Sequence, residues 1–451
     1  MNEKQQLIVY SIVIFIAILF ISIFVLNLFP ISGDEYSYIF QSKIFSKGKL
    51  YFESPELKGF YDLHHVVNNG KWFTKYQFFW PLILTFGELI KLPYLINPLI
   101  GILTLLMIYN LTKLLFDKNA AKLSFILLGS NPFFLFNSAS FFTHPLSLLL
   151  TVCFIYCFFK ILELKNTKYS ILAGLALGFL ILTRFSDVII LSIPITTYAM
   201  FKLYKNKKLT TNFAIIGIIA LFFLGIQLYL NYTLNNNPFL FSYQIYNPKD
   251  NISFNHIEWG LNATIHNLKS LIFWFPFCIF LPFIKHGKKS SLLISIFVLN
   301  ILFYLFYFSA GGDQYGPRYY YISLVALIPL ISSKIKKLNK KTACIILLVN
   351  ISLSIIFGAI IYEEVLYRKQ PFDYFEKNSI TNNLIFLKSS EYQGCSWYTR
   401  NEPDLSKNII VCDNDEYNNE LIKLYPNKNH TYYDLEIMGK PTSKYHDWIV
   451  H

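Results

Sequence analysis

The chain has 451 residues, of which 54% are hydrophobic and 15% are charged. A soluble domain carries about 25% charged residues, so this composition excludes an ordinary soluble protein and favours a polytopic membrane protein. The formal net charge of +13 is carried largely by lysines in short segments between apolar runs, a distribution typical of cytoplasmic loops rather than of a nucleic-acid-binding surface.

The first predicted element is residues 7–29, an uncharged apolar run long enough to cross about 30 Å of hydrocarbon. No small-residue cleavage site follows it, so we expect an uncleaved anchor. Because lysines mark cytoplasmic loops, Lys4 predicts a cytoplasmic N-terminus. The other lysine clusters lie at 113–122, 160–168, 202–208, 285–289 and 334–341.

This topology predicts eleven transmembrane helices, with the C-terminus outside the cell. The expected spans lie near 7–29, 93–112, 123–140, 143–161, 167–183, 187–203, 211–231, 267–284, 290–309, 318–333 and 342–361. The segment 78–91 is short and does not fit the alternation, so we interpret it as an interfacial or re-entrant helix. The fold class expected for residues 1–361 is therefore an all-α, multi-pass domain of the plasma membrane.

Long stretches on the predicted outer side follow the spans. The first outer loop, 30–77, begins with apolar residues at helical spacing, which is typical of an amphipathic helix lying on the membrane. A second outer loop covers 232–266. The tail, 362–451, alternates short strand and helix patterns and predicts a small extracytoplasmic α/β domain. The expected strands are 383–388, 408–412 and 430–436, and the expected helix is 416–425.

Cys395 and Cys412 both lie in this tail. An exported pair of cysteines is able to form a disulfide, but the distance between the two residues cannot be read from the sequence.

Most ionisable residues other than the loop lysines fall at the outer ends of the spans or in the outer loops. Such residues are costly in a membrane unless they are paired or face water, so several of them are expected to line one cavity. They are Asp34, Glu35, His64, His65, Lys75, His144, Arg184, Asp187, His256, Glu258, Asp313 and Arg318.

Asp34 and Glu35 directly follow the first span, and two interpretations stay open for them. An acidic residue at a helix start is often a cap, because it accepts hydrogen bonds from free amides and complements the helix dipole. Alternatively, one of the two carboxylates is a general base or a metal ligand at the membrane boundary, where partial burial tunes its pKa.

His144 stands at the outer start of a span, before Pro145, in the stretch THPLSLLL. Capping accounts for the threonine and the proline but not for the histidine, which leaves a ligand or acid/base role open. Arg184 and Asp187 form either a structural ion pair or, through Arg184, a phosphate site.

Arg318 begins a later span beside three tyrosines, of which Tyr319 is the first. Snorkelling would account for such an arginine, and an anionic head group would suit it equally. His64 and His65 are adjacent, so at most one is expected to enter a given site. Nucleotide-binding and hydrolase motifs such as G-x-x-x-x-G-K-[ST], H-E-x-x-H and G-x-S-x-G are absent from the sequence.

A family resemblance is carried by four stretches of this sequence. They are GDEYSYIFQSKIFSKGKLY after the first span, THPLSLLL, GLALGFLILTRFSDVIIL and GPRYYYISLVALIPL. Together they resemble the GT-C membrane glycosyltransferases, in particular the superfamily of dolichyl-phosphate-mannose protein mannosyltransferases and bacterial aminoarabinose transferases. The sequence departs from this pattern at YQFFWPL, residues 76–82, where many relatives have Tyr-Pro-Pro-Gly.

The resemblance implies an inverting transferase that moves a sugar from a polyprenyl-phosphate donor to a lipid, glycan or protein acceptor at the outer face of the bilayer. The family's catalytic carboxylate maps onto Asp34, with Glu35 beside it. The donor phosphate would be bound by Arg318, Arg184, Lys75 and Tyr319. Residues expected to support the site or bind the acceptor are His144, Asp187, His64, His65 and Tyr76.

Two points stay open at this stage. A divalent cation held by Glu35 and a histidine, with His256 as the candidate, would stabilise the leaving phosphate. A transporter or flippase of lipid-linked glycans is the alternative function, although its ionisable residues should lie near the middle of the bilayer. A lipid-linked oligosaccharide ligase performs similar chemistry and is not separable at this level.

Overall fold

The computed structural model describes residues 2–249, 251–283, 287–309, 311–312, 314–334, 340–389 and 394–439. Asp313, expected among the outer polar residues, lies outside the described residues, and so do parts of the lysine clusters 285–289 and 334–341.

The described chain is mainly helical. The helices of the first half are α1 (Glu3–Phe20), α2 (Gly33–Ser46), α3 (Phe79–Leu89), α4 (Ile96–Leu115), α5 (Lys118–Gly129), α6 (Pro132–Ala139), α7 (His144–Leu164), α8 (Thr167–Ile181) and α9 (Phe185–Lys205). Those that follow are α10 (Thr210–Asn235), α11 (Ser242–Tyr246), α12 (Ile257–Trp274), α13 (Lys288–Leu305), α14 (Leu324–Lys334), α15 (Lys340–Lys377) and α16 (Asn418–Leu424).

Six helical stretches of the described chain are long and apolar enough to cross a membrane: Glu3–Val25, Pro93–Leu115, His144–Leu164, Phe185–Lys205, Lys207–Asn235 and Lys341–Lys377. Shorter apolar helices cover Phe79–Leu89, Thr167–Ile181 and Lys289–Leu305. The protein is thus a multi-pass membrane protein, as the composition predicts, while eleven continuous spans are not what the structure shows.

Three predicted spans are interrupted, two of them beside a proline. The predicted span 123–140 divides between α5 and α6 because Asn131 caps α6 and Pro132 occupies its first turn. The predicted span 267–284 ends its α-helix at Trp274, before Pro276. The predicted span 318–333 begins as a 3₁₀ helix, Arg318–Ser323, before α14.

Two small sheets lie outside the helical bundle. In the first loop, β1 (Phe52–Glu53), β3 (Lys71–Thr74) and β2 (Val66–Asn68) form an antiparallel sheet in that order. Near the C-terminus, β5 (Ile409–Cys412), β4 (Asn383–Lys388) and β6 (Asn429–Asp434) form a parallel sheet with β4 in the centre. The three strands and the helix expected in the tail are therefore present, with small differences at their ends.

Helix α2 is present where the sequence predicts it, but it does not lie on a membrane surface. Its N-terminus is a capping box: Ser32 Oγ accepts from the backbone N–H of Glu35, and the Glu35 carboxylate accepts from the N–H of Ser32. Most of the helix is buried on every face. The expectation of an interfacial helix is wrong here because protein covers the face that was expected to meet lipid.

The C-terminal sheet covers one side of α2, whereas Tyr38 and Ile39 pack into the core of the helical bundle. Apolar side chains of the first loop and of the tail form one continuous hydrophobic core: Tyr36, Phe40, Ile44, Phe60, Tyr61, Leu63, Val66, Trp72, Leu384, Phe386, Ile409, Val411 and Leu421. The tail therefore packs on the first loop rather than hanging from the last helix. Cys395 and Cys412 are joined by a disulfide, with their Cα atoms 5.5 Å apart, so the structure answers the question that the sequence left open.

Candidate active site

A cavity of about 740 Å³ opens where the first loop meets the helix ends of the bundle. Ligand pockets commonly enclose about 300–1,000 Å³, so its size suits a substrate. Several segments that are distant in sequence line it, and the charged or potentially charged side chains among them are Asp34, His65, Lys75, His144, Arg184 and Arg318. The expectation that outer polar residues share one cavity is thus met by these six.

Asp34 stands in the first turn of α2 and faces this cavity. Its Oδ2 accepts a hydrogen bond from Arg318 Nη1 at 2.7 Å, across 284 residues of sequence. Its Oδ1 lies 3.5 Å from His65 Nε2. The capping position of α2 belongs to Ser32 and Glu35, which leaves the Asp34 side chain available to the cavity.

The charge of Asp34 follows from its neighbours. Burial raises the pKa of this carboxyl, but His65, Arg318 and Lys75 together lower it, and the net pKa is about 2. Burial also lowers the pKa of His65, to about 3, so this imidazole is neutral at pH 7. Arg318 is therefore the contacting cation that holds Asp34 ionised at neutral pH.

Arg318 is fixed by more than its ion pair. Its guanidinium lies 4.3 Å from the centre of the Phe142 ring, and its Nε donates to the carbonyl of Gly312 at 3.4 Å. The next residue, Tyr319, lines the cavity and stacks on Tyr304 with ring centres 4.2 Å apart. This part of the cavity wall is thus built from packed aromatic rings around one arginine.

Arg184 makes the ion pair that its spacing suggests. Its Nε lies 3.1 Å from Asp187 Oδ2, and its Nη2 donates to the Tyr304 hydroxyl at 3.0 Å. Asp187 also accepts from the Ser147 hydroxyl and does not line the cavity, whereas Arg184 does. Asp187 therefore orients the arginine from behind the cavity wall.

Lys75 is surrounded by tyrosines. Its Nζ lies 4.6 Å from the ring centre of Tyr246 and 5.4 Å from those of Tyr76 and Tyr243, all within cation–π range. These three rings line the cavity with Lys75. The second outer loop, 232–266, contributes Tyr243 and Tyr246, so it closes the site beside the first loop.

His144 lies at the first position of α7 and lines the cavity while being only 5% exposed. Among the described residues, neither ring nitrogen has a hydrogen-bond partner. The rings of Phe142 and Tyr321 flank it. The structure thus places His144 beside Arg318 and Asp34 in one site.

Glu35 has a different environment from Asp34. It is completely buried, and its carboxylate accepts hydrogen bonds from the backbone N–H groups of Ile31, Ser32 and Phe141 at 3.0 to 3.3 Å. Burial raises its pKa to about 7 in spite of these donors. It does not line the cavity, because it ties α2 to the segment preceding α7.

The expected metal site at Glu35 and His256 does not fit these positions. The Glu35 oxygens are used by backbone donors, and neither Glu35 nor His256 lines the cavity; His256 Nε2 lies 3.1 Å from Oδ1 of Asn251, which does line it. In the part of the chain that the structure describes, no group of three or more His, Cys, Asp or Glu side chains is placed to hold a metal ion.

Of the two adjacent histidines, His65 lines the cavity and His64 does not. His64 instead packs on Trp397, with ring centres 4.1 Å apart. Trp397 belongs to the C-terminal domain and also lines the cavity.

Sequence reasoning missed Trp397, Tyr243 and Tyr246 because aromatic residues at these positions look like ordinary packing residues. The one sequence signal near Trp397 was the pair Cys395 and Cys412, whose disulfide the sequence left open.

Comparison with known proteins supports the resemblance read from the sequence. Residues 78–229 match the family model described as dolichyl-phosphate-mannose-protein mannosyltransferase. No curated protein matches the sequence.

Solved structures of low sequence identity share the fold. ArnT from Cupriavidus metallidurans bound to undecaprenyl phosphate has 11% identity and a TM-score of 0.61, over 96% of this chain and 90% of that chain. The archaeal oligosaccharyltransferase AglB from Archaeoglobus fulgidus, in complex with an inhibitory peptide and a dolichol-phosphate, has 12% identity and a TM-score of 0.50. That match covers 90% of this chain and 64% of AglB.

These similarities confirm the recognition made from the four sequence stretches: this chain resembles the GT-C membrane glycosyltransferases in sequence over residues 78–229 and in fold over most of its length.

Proposed function

We propose that this protein is a glycosyltransferase that moves a sugar from a polyprenyl-phosphate donor to an acceptor at the extracytoplasmic face of the membrane. The observation that carries the proposal is the pairing of Asp34 with Arg318 in the wall of a large cavity. A carboxylate and a phosphate-binding cation are the two groups that this displacement requires, and here they are neighbours.

The charge of the cavity supports a phosphate-linked donor. Among the described residues that line it, Lys75, Arg184 and Arg318 are cationic, whereas Asp34 is the carboxylate. A sugar linked to a lipid phosphate is a singly charged diester, and the lipid phosphate released by transfer gains a second negative charge. Cations fixed in a buried site stabilise that developing charge without having to reorganise.

Asp34 is the proposed general base. It would take the proton of the acceptor hydroxyl or amine while that atom bonds to the anomeric carbon and the bond from this carbon to the phosphate oxygen breaks. A carboxyl with a pKa near 2 is a weak base, so the ion pair with Arg318 must loosen first. An anionic donor that attracts Arg318 would raise the pKa of Asp34, which makes the base competent only when the donor is bound.

The proposal is tested by incubating membranes that contain the protein with radiolabelled polyprenyl-phosphate sugars and acceptor extracts, with and without a chelator. Asp34→Asn should reduce transfer by about a hundred- to ten-thousandfold, the usual contribution of a general base, while the protein still inserts. Asp415→Asn, at an exposed position of the tail, is the matched control and should transfer normally.

Full transfer activity of Asp34→Asn would show that Asp34 is not the general base. If no sugar leaves the lipid with any acceptor, the transferase proposal fails, and transport of the lipid-linked glycan across vesicles becomes the measurement of choice. The chelator arm tests the metal requirement.

A further inference from the structure

Helix α7 begins at the cavity with two polar side chains that have no protein partner. Thr143 is 2% exposed and His144 is 5% exposed, and both line the cavity. In the described part of the chain, the Thr143 hydroxyl and both His144 ring nitrogens make no hydrogen bond. Buried polar groups are nearly always paired, so three such atoms side by side indicate that a ligand supplies the partners.

The backbone at this point is also short of partners. Thr143 is the N-cap residue of α7, but its side chain makes no capping hydrogen bond. Helix α7 runs for 21 residues, and the N–H groups of its first turn point out of its N-terminus with the positive end of the helix dipole. Such an end attracts anions, and here it opens into a cavity rather than into a capping side chain.

The charges around His144 determine whether the ligand is an anion or a cation. Arg184 and Arg318 both lie within electrostatic range of this imidazole. The flanking contacts of His144 are the aromatic rings of Phe142 and Tyr321, which supply no counter-charge. Each arginine is paired with a carboxylate, Arg184 with Asp187 and Arg318 with Asp34, but its remaining N–H groups and the helix end still favour an oxyanion over a cation.

We infer that the N-terminus of α7, through Thr143 and His144, binds the phosphate group of a polyprenyl phosphate between Arg184 and Arg318. This inference rests on the proposed function and names the phosphate site within it. A neutral imidazole always carries one N–H donor, and the threonine hydroxyl carries another. His144 is thereby assigned to the donor phosphate instead of to the acceptor.

The assignment adds a chemical role to this helix end. During transfer the electron pair of the bond between the anomeric carbon and the phosphate oxygen moves onto that oxygen, while Asp34 takes the acceptor proton. The phosphate charge rises from one to two at this moment. Donors from His144 and Thr143 therefore bind the released lipid phosphate more strongly than the donor, which lowers the barrier.

The experiment measures binding of a polyprenyl phosphate to the purified full chain in detergent, against the polyprenol of the same length and against inorganic phosphate. His144→Leu and Thr143→Val should weaken polyprenyl phosphate about ten- to hundredfold each, the loss expected for one hydrogen bond to a charged group, and should leave polyprenol unchanged. His144→Gln keeps an N–H donor and should restore part of the affinity. His430→Leu, at an exposed position of β6, is the matched control.

The outcomes separate this inference from the proposed function. If wild-type protein prefers polyprenyl phosphate to polyprenol but both α7 variants bind it equally well, the inference is wrong while the transferase proposal stands. If wild-type protein binds polyprenyl phosphate and polyprenol equally well, both the inference and the transferase proposal are wrong. Inorganic phosphate that binds as tightly as the lipid would show a site for free phosphate and overturn the lipid assignment. A thermal unfolding midpoint equal to that of wild type shows that a variant is folded.

Discussion

At the scale of single residues, Asp34 and Glu35 are adjacent in sequence, yet their carboxylates face opposite surroundings. Asp34 turns to the cavity and pairs with Arg318, whereas Glu35 turns inward and accepts three backbone N–H groups. Successive residues of a helix point about 100° apart, so one neighbour can serve chemistry while the other holds the helix. The structure assigns the cap to Glu35 together with Ser32, and Asp34, which faces the cavity, is the carboxylate proposed to be functional.

Glu35→Gln tests this division. We expect its transfer activity to stay within about tenfold of wild type, because this substitution alters a helix cap. Asp34→Asn, in contrast, removes the proposed general base. Because the pKa of Glu35 is raised to about 7 in the folded protein, its contribution to stability is complete below pH 4.5 and is lost as the pH rises to 7. The loss amounts to about 3 kcal/mol.

The measurement is the thermal unfolding midpoint in detergent at pH 4.5 and at pH 7. Wild type should be less stable at the higher pH relative to Glu35→Gln, which lacks the titrating group. Equal pH dependence of the unfolding midpoints of the two proteins would contradict the raised pKa of Glu35. A loss of transfer activity in Glu35→Gln as large as that in Asp34→Asn would show that Glu35 takes part in catalysis.

At the scale of elements, α2 is held by the C-terminal domain. The Tyr36 hydroxyl donates to the carbonyl of Asn401 at 2.9 Å, and Lys43 pairs with Glu402 at 2.9 Å. Arg400 lies over the Phe29 and Tyr36 rings. These contacts come from one short segment, which begins at the disulfide and also carries Trp397 to the cavity. The tail therefore positions the helix that bears Asp34.

Removing the disulfide tests this positioning role. Cys395→Ser with Cys412→Ser opens a link across 17 residues, for which a loss of about 3 kcal/mol is expected. Because the loosened segment holds α2, the transfer rate should also fall, and the fall should exceed any change in donor binding. Thermal unfolding and the transfer assay measure the two effects. Cys344→Ser removes an exposed free cysteine and is the matched control. Unchanged activity in the double variant would show that the segment does not position α2.

At the scale of the whole molecule, the cavity, the first loop and the C-terminal domain lie together at one end of the bundle. The shared core of the loop and the tail makes this end a single packed unit, so both parts must be on the same side of the membrane. The lysine distribution predicts that this is the outer side.

The orientation is tested by labelling intact cells with a membrane-impermeant thiol reagent, in a Cys344→Ser background. A cysteine introduced by Asp415→Cys should be labelled, whereas one introduced by Asn119→Cys, in the first turn of α5 within the lysine cluster 113–122, should be labelled only after permeabilisation. Both positions are exposed on the protein. The reverse pattern would invert the topology and move the proposed reaction to the cytoplasmic face.

Sequence alone determined the features that depend on local composition and spacing. Apolar runs predict a membrane protein, the acidic pair Asp34 and Glu35 with apolar residues at helical spacing after it predicts a helix after the first span, and alternation predicts the strands of the tail. These features are readable because hydrophobic burial and capping act over a few residues. The four stretches that carry the family resemblance also mark Asp34, His144, Arg184 and Arg318, which the fold brings to one cavity.

Tertiary structure alone decided the partners across long separations. The pairing of Asp34 with Arg318 spans 284 residues, and the burial of α2 depends on strands that come more than 300 residues later. No local pattern encodes which of two adjacent carboxylates faces a cavity, or that Trp397 reaches it from the tail. Those properties arise from packing, in which the position of each side chain depends on every surface it contacts.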